Sequence, residues 1–210
     1  MTQPTRSPAI GPLVLAGMIL LAALSRLLPH PPNFSPIEAV ALFGGAYFAQ
    51  RAWAVVVPLI AMAISDLVLA VAYGGIYLDY FVNVHFVSIY ACIVLCTLLG
   101  FGMRGRVNGA RVLGYSLGGS VLFFLLTNFA VWATASSEIS PVCGASLGAC
   151  YIAGLPFFQW TVLGTLFYSA ILFGGFALLR ARIPQLRAQT AKNRRVRRGQ
   201  SPQQDLHEDR

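Results

Sequence analysis

AWAVVVPLIAMAISDLVLAVAY, residues 52–73, holds a single charged residue, Asp66, in a stretch otherwise almost wholly apolar. About 20 apolar residues span a bilayer core, so this run reads as a membrane helix. Similar runs lie on both sides of it. We read six spans: Ile10–Ser25, Ile37–Gln50, Ala52–Tyr73, Asn83–Met103, Val112–Thr134 and Leu155–Leu179. The composition agrees, with 57% hydrophobic and 10% charged residues, against about 25% charged in soluble domains. The expected fold is all-α: a polytopic six-helix transmembrane bundle over residues 10–180, after a short tail of residues 1–9. The second span is short, reaching only about 21 Å at 1.5 Å per residue. Gly44 and Gly45 inside it allow bending or close packing.

Orientation follows from the basic residues. If both termini are cytoplasmic and all six segments cross, Arg6, Arg51, Arg104, Arg106, Arg111 and nine basic residues from Arg180 onward fall inside. Only Arg26 falls outside, which is the bias expected of a protein in the cell (inner, cytoplasmic) membrane. A second reading stands beside it: Arg6, the apolar run and Ala23-Leu-Ser25 also fit a cleavable signal peptide, which would leave five spans. The region 181–210, with Lys192-Asn-Arg194-Arg195-Val-Arg197-Arg198, is too polar to fold alone and reads as a disordered cytoplasmic tail. Anionic lipid is its expected partner; nucleic acid is not.

This topology gathers polar residues at the outer end. Between the first two spans lies Arg26-Leu-Leu-Pro-His30-Pro-Pro-Asn33-Phe-Ser-Pro36-Ile-Glu38, a loop stiffened by its prolines. Arg26 breaks the charge rule and needs a local reason: Glu38, Asp66, an anionic ligand, or snorkelling to headgroups. Asp66 lies about 10 Å from the outer end of its helix by helix rise, where an aspartate costs about 2–3 kcal/mol without a partner. Glu38 has two readings, as a ligand or as the acid of a Ser35-x-x-Glu38 capping box with Pro36 in the first helical turn. His30 is either solvated or a titrating group. Asn128 and Trp132, four residues apart, share one helix face near the outside. The expected ligand-binding set is therefore Arg26, His30, Asn33, Glu38, Asp66, Asn128 and Trp132. The cytoplasmic halves hold no buried ionisable residue, which disfavours an ion pathway through the bundle.

The cysteines form two pairs. Cys92 and Cys96 share a helix face and read as small packing residues. Cys143 and Cys150 lie in the expected external loop Ala135–Gly154, where a disulfide is one reading and free thiols the other. Neither pair has C-x-x-C spacing, and no metal or cofactor is expected. No nucleophile stands beside a base, so no catalytic residue is assigned. An intramembrane enzyme using Asp66, Glu38 and His30 is one alternative, and a scaffold whose polar groups only hold helices together is another.

The motif Arg26-x2-Pro29-His30-Pro-Pro-Asn33-Phe34-x-Pro36-Ile37, with Ile64-Ser65-Asp66, Thr127-Asn128-Phe129-x-Val131-Trp132 and Cys150-Tyr151-x4-Pro156-Phe157-Phe158, resembles an uncharacterised family of small bacterial membrane proteins. More distantly, the layout is similar to the substrate-binding S components of energy-coupling-factor transporters. That resemblance rests on six spans, a proline-rich first outer loop and a Ser-Asp pair late in the third span. It implies capture of a small polar solute in the outer half of the bundle and uptake through separate coupling subunits. The first span departs from those proteins in lacking their alanine-x3-alanine docking pair.

Overall fold

The computed structural model describes residues 10–74, 84–135 and 140–186. The expected terminal tails, apart from residues 181–186, lie outside these residues, as does Asn83. The described chain is helical: α1 (Ile10–Leu24) with a 3₁₀ turn (Ser25–Leu27), α2 (Ile37–Tyr47), α3 (Arg51–Tyr73), α4 (Val84–Phe101), α5 (Gly109–Thr134), α6 (Pro141–Ala145), α7 (Leu147–Ser169), a π turn (Ala170–Gly174) and α8 (Gly175–Arg182). Four helices are long and apolar enough to cross a membrane: Ile10–Leu27, Arg51–Tyr73, Gly109–Thr134 and the continuous Leu147–Arg182. Two apolar helices are shorter, Ile37–Tyr47 and His85–Phe101.

The bundle is apolar outside and polar in places within. Leu21, Val71, Ile152 and Leu178 are about 70–80% exposed, whereas Ser65, Asp66, Thr97, Ser116, Ser120, Thr161, Thr165 and Ser169 are buried. Such an exterior suits lipid, and the interior hydroxyls are satisfied locally. Thr97 and Thr165 donate to the carbonyls of Ile93 and Thr161, and Ser116 bonds Ser169 across α5 and α7 at 2.8 Å. Four long apolar helices with this inverted surface mark a membrane protein.

The short second segment takes the centre. Every residue from Ile37 to Ala46 is buried, and α2 packs against α1, α3, α4, α5 and α7. At 11 residues α2 is about 16 Å long, shorter than the sequence suggested. Phe48 leaves the helix and the chain turns directly into α3. Glycines permit this crowding. A Cβ on Gly45 would strike the Thr97 carbonyl and the backbone of Gly100, and one on Gly44 would meet Pro58 Cγ at 2.8 Å. At its end Phe43 and Tyr47 meet the rings of Phe173 and Phe176, turned inward by the π turn and the start of α8.

The expected loop Ala135–Gly154 is shorter than the sequence suggested. α7 starts at Leu147, capped by Ser146 Oγ accepting from Ala149 N at 3.1 Å, and runs through Pro156. The Cys143–Cys150 disulfide joins α6 to α7; Cys92 and Cys96 are free and buried.

The packing gives a direct expectation. Gly45→Val should lower stability by about 3 kcal/mol, the upper end of overpacking costs, because the obstacle is backbone. Gly114→Ala, which meets nothing within 4 Å, should leave stability near wild type. Detergent-solubilised thermal unfolding of the two variants distinguishes them.

Candidate functional site

The 3₁₀ turn at the end of α1 delivers Arg26 to Asp66 on α3. Arg26 Nη1 bonds Asp66 Oδ1 at 2.5 Å, and the Tyr90 hydroxyl of α4 donates to Asp66 Oδ2 at 2.9 Å. Both carboxylate oxygens are thus occupied, in a position only 5% exposed. Neighbouring hydroxyls tie the same corner. Ser65 Oγ donates to the Ala23 carbonyl at 2.8 Å, and Ser25 Oγ lies 2.8 Å from the Tyr168 hydroxyl of α7. Of the local reasons open to Arg26, the ion pair is the one formed. Tyr90 escaped sequence reasoning. The signal was a tyrosine hydroxyl in an apolar helix, which must find a partner when buried.

From this corner the proline-rich loop folds inward. Asn33 takes a left-handed backbone conformation, φ 65°, which asparagine tolerates, and Phe34 N bonds the Pro31 carbonyl at 3.1 Å. The Phe34 ring then rests on Phe167 and Tyr168 of α7. The loop backbone presses on Gly164, where a Cβ would meet Ser35 N at 2.8 Å. Consequently α2 starts inside the bundle, and Glu38 is 1% exposed. The capping box does not form. Ser35 Oγ instead accepts weakly from Ile37 N at 3.4 Å, and the Glu38 carboxyl turns inward beside the Thr165 hydroxyl. Cys96 Sγ and Glu38 Cβ both face Gly119, each 3.7 Å from where its Cβ would stand. None of these neighbours is charged.

Above Glu38, at the end of the bundle that carries the loop, is a cavity of about 160 Å³. Asn33 of the loop, His85 of α4, Thr127 and Asn128 of α5 and Thr161 of α7 line it, between the rings of Phe123, Phe124 and Phe157. Asn128 Nδ2 donates to the Phe124 carbonyl at 2.8 Å. Its Oδ1 lies against Gly154, which leaves it room only by having no side chain. Phe123 and Thr161, in the floor, are each one helical turn from the residues that touch Glu38, Gly119 and Thr165. Glu38 therefore sits about one helical turn below residues that line the cavity and does not itself line it. The Tyr151 hydroxyl, donating to the Leu125 carbonyl at 2.9 Å, ties α7 to α5 near the rim.

The seven residues expected to act together are divided by this arrangement. Asn33 and Asn128 line the cavity, and Glu38 lies below it. Arg26 and Asp66 bind each other outside its lining. His30 is exposed, with Nδ1 2.7 Å from the Leu28 carbonyl. Trp132 stacks with Phe129 at 5.5 Å and does not line the cavity. His85, outside the expected set, lines it as well.

This architecture defines a polytopic helical membrane protein with a small polar cavity at one end. The chain belongs to the family of unknown function DUF6580, whose model matches residues 7–186. No curated protein and no solved structure matches the chain.

The ion pair yields a test of its role. Arg26→Gln or Asp66→Asn alone should destabilise by about 3–5 kcal/mol, because each leaves an uncompensated buried charge. The double variant should recover much of the loss. Thermal unfolding of the three proteins measures the coupling.

Proposed function

We propose that this protein crosses the bacterial inner membrane six times, with both termini cytoplasmic, and binds a small polar solute in its outer cavity for uptake. The observation that carries the reading is the cavity itself. It joins amide, imidazole and hydroxyl groups from the proline-rich loop and three helices, walls them with phenylalanine rings, and sits over a buried carboxyl. Binding sites commonly combine an apolar wall with a few convergent polar groups. Its volume is below the usual range of about 300–1,000 Å³, which suits a ligand smaller than a drug-sized molecule.

The distribution of arginine supports the orientation. Arg51, Arg104, Arg106, Arg111, Arg180 and Arg182 lie at the helix ends remote from the cavity. Arg26, nearer the cavity, is neutralised by Asp66. Uptake through separate coupling subunits extends the reading by the similarity to S components. Acid–base catalysis by Asp66, Glu38 and His30 is the weaker reading, because each has a different partner: Arg26 and Tyr90, Thr165, and the Leu28 carbonyl.

Two measurements test the proposal. Phosphatase fused to either terminus should be inactive and a green fluorescent protein fused there should fluoresce; phosphatase activity at either end refutes the orientation. Native mass spectrometry of gently extracted protein should find a retained small molecule in wild type and in Arg26→Gln/Asp66→Asn, but not in Asn128→Ala or His85→Ala. The identified molecule at 100 times its Kd should stabilise wild type by about 2.7 kcal/mol, and the cavity variants by much less. Equal retention by Asn128→Ala and wild type would refute the site.

A further inference from the structure

A second cavity, about 540 Å³, lies at the opposite end of the bundle from the polar one. It is a partly open groove between the start of α1, the end of α2, the start of α3 and α8. Leu15, Ala16, Val57 and Phe176 make an apolar floor, and the rims at Leu13 and Trp53 are 64% and 54% exposed. Those rims belong to helices long and apolar enough to cross a membrane, so the groove opens sideways toward lipid. A tryptophan at such a rim suits the headgroup level of a bilayer.

Arginines stand at the end of this groove on two sides. On one, Gln50 and Gly105 line it, and their neighbours Arg51 and Arg106 are exposed. Arg51 and Arg104 lie over the same Phe101 ring, at 5.9 and 3.9 Å, and Arg104 Nε donates to the Gly45 carbonyl at 2.7 Å, fixing that turn to α2. On the other side, Arg180 lies 5.8 Å over the Phe176 ring, whose residue forms part of the floor. Among the described residues, none that lines the groove is acidic.

We infer that this groove is a binding site for one anionic phospholipid of the cytoplasmic leaflet, one of its acyl chains along the apolar floor and its phosphate between Arg51 and Arg180. The apolar channel and the cationic end match the two halves of such a lipid. Guanidinium groups bind phosphate through paired, charge-assisted hydrogen bonds, and the cytoplasmic leaflet is where anionic lipids concentrate. The site is separate from the outer cavity and shares none of its lining. It rests on the membrane orientation and not on the solute.

The test uses delipidated full-length protein in a neutral detergent. Phosphatidylglycerol should raise Tm saturably, with an apparent affinity at least about tenfold tighter than that of phosphatidylcholine, a preference within reach of two basic residues. Glycerol 3-phosphate, a headgroup without chains, should give no comparable shift. Arg51→Gln/Arg180→Gln should bind both lipids alike, and Ala16→Trp, which fills the floor, should lose the response to both. If Ala16→Trp does not fold, the arginine variant alone decides, because its fold leaves the floor intact. Equal affinity of wild type for the two lipids overturns the inference. So does an unchanged headgroup preference in the arginine variant, an equal shift with glycerol 3-phosphate, or a groove occupied by a second copy of the chain in crosslinking.

Discussion

Everything in this bundle depends on enclosing α2. A helix of 11 residues buried from Ile37 to Ala46 has no face left for lipid. Its neighbours must therefore approach it from all sides, and they can do so only where side chains are missing. Gly44 admits α3 at Pro58, and Gly45 meets Gly100 of α4 backbone to backbone. Lipid offers no hydrophobic drive for helices to associate, so such close packing supplies the cohesion. The position of α2 in turn sets the course of the loop before it and the start of α3 after it.

Burying α2 brings a carboxyl with it, and the protein handles its two inner acids in different ways. Asp66 is matched by a guanidinium and a phenol, which makes one corner of α1, α3 and α4 a closed electrostatic unit. Glu38 has hydroxyl and thiol neighbours and, among the described residues, no cationic partner. The first arrangement fastens helices. The second places a polar group just under a cavity, a costly position that is commonly tied to function in membrane proteins. Both acids belong to the expected ligand set, and neither lines the cavity.

The two ends of the bundle have opposite character. One carries a small cavity framed by amides, an imidazole and aromatic rings. The other carries a larger apolar groove ending among arginines. The continuous helix Leu147–Arg182 links them, giving Thr161 to the first and Phe176 to the second. Its π turn redirects the side chains between these two positions, so one helix serves both ends.

The sequence by itself determined the helical class, the approximate helices and the polarity of their ends. Length, hydropathy and charge are local properties and are legible residue by residue. It also showed that Asp66 needed a partner and named Arg26 among those able to serve. Tertiary structure alone decided the rest. That Asp66 is shared with Tyr90, that Asn33, Asn128 and His85 meet while Arg26 and Trp132 stand apart, and that α2 is central all depend on which helix faces which. The capping motif shows why. Ser35-x-x-Glu38 describes a favourable local bond, but residues far away in the chain, Gly119 and Thr165, shape the space into which Glu38 turns. Helix rotation and pairing are set by side-chain packing between segments, and spacing along one segment does not encode them.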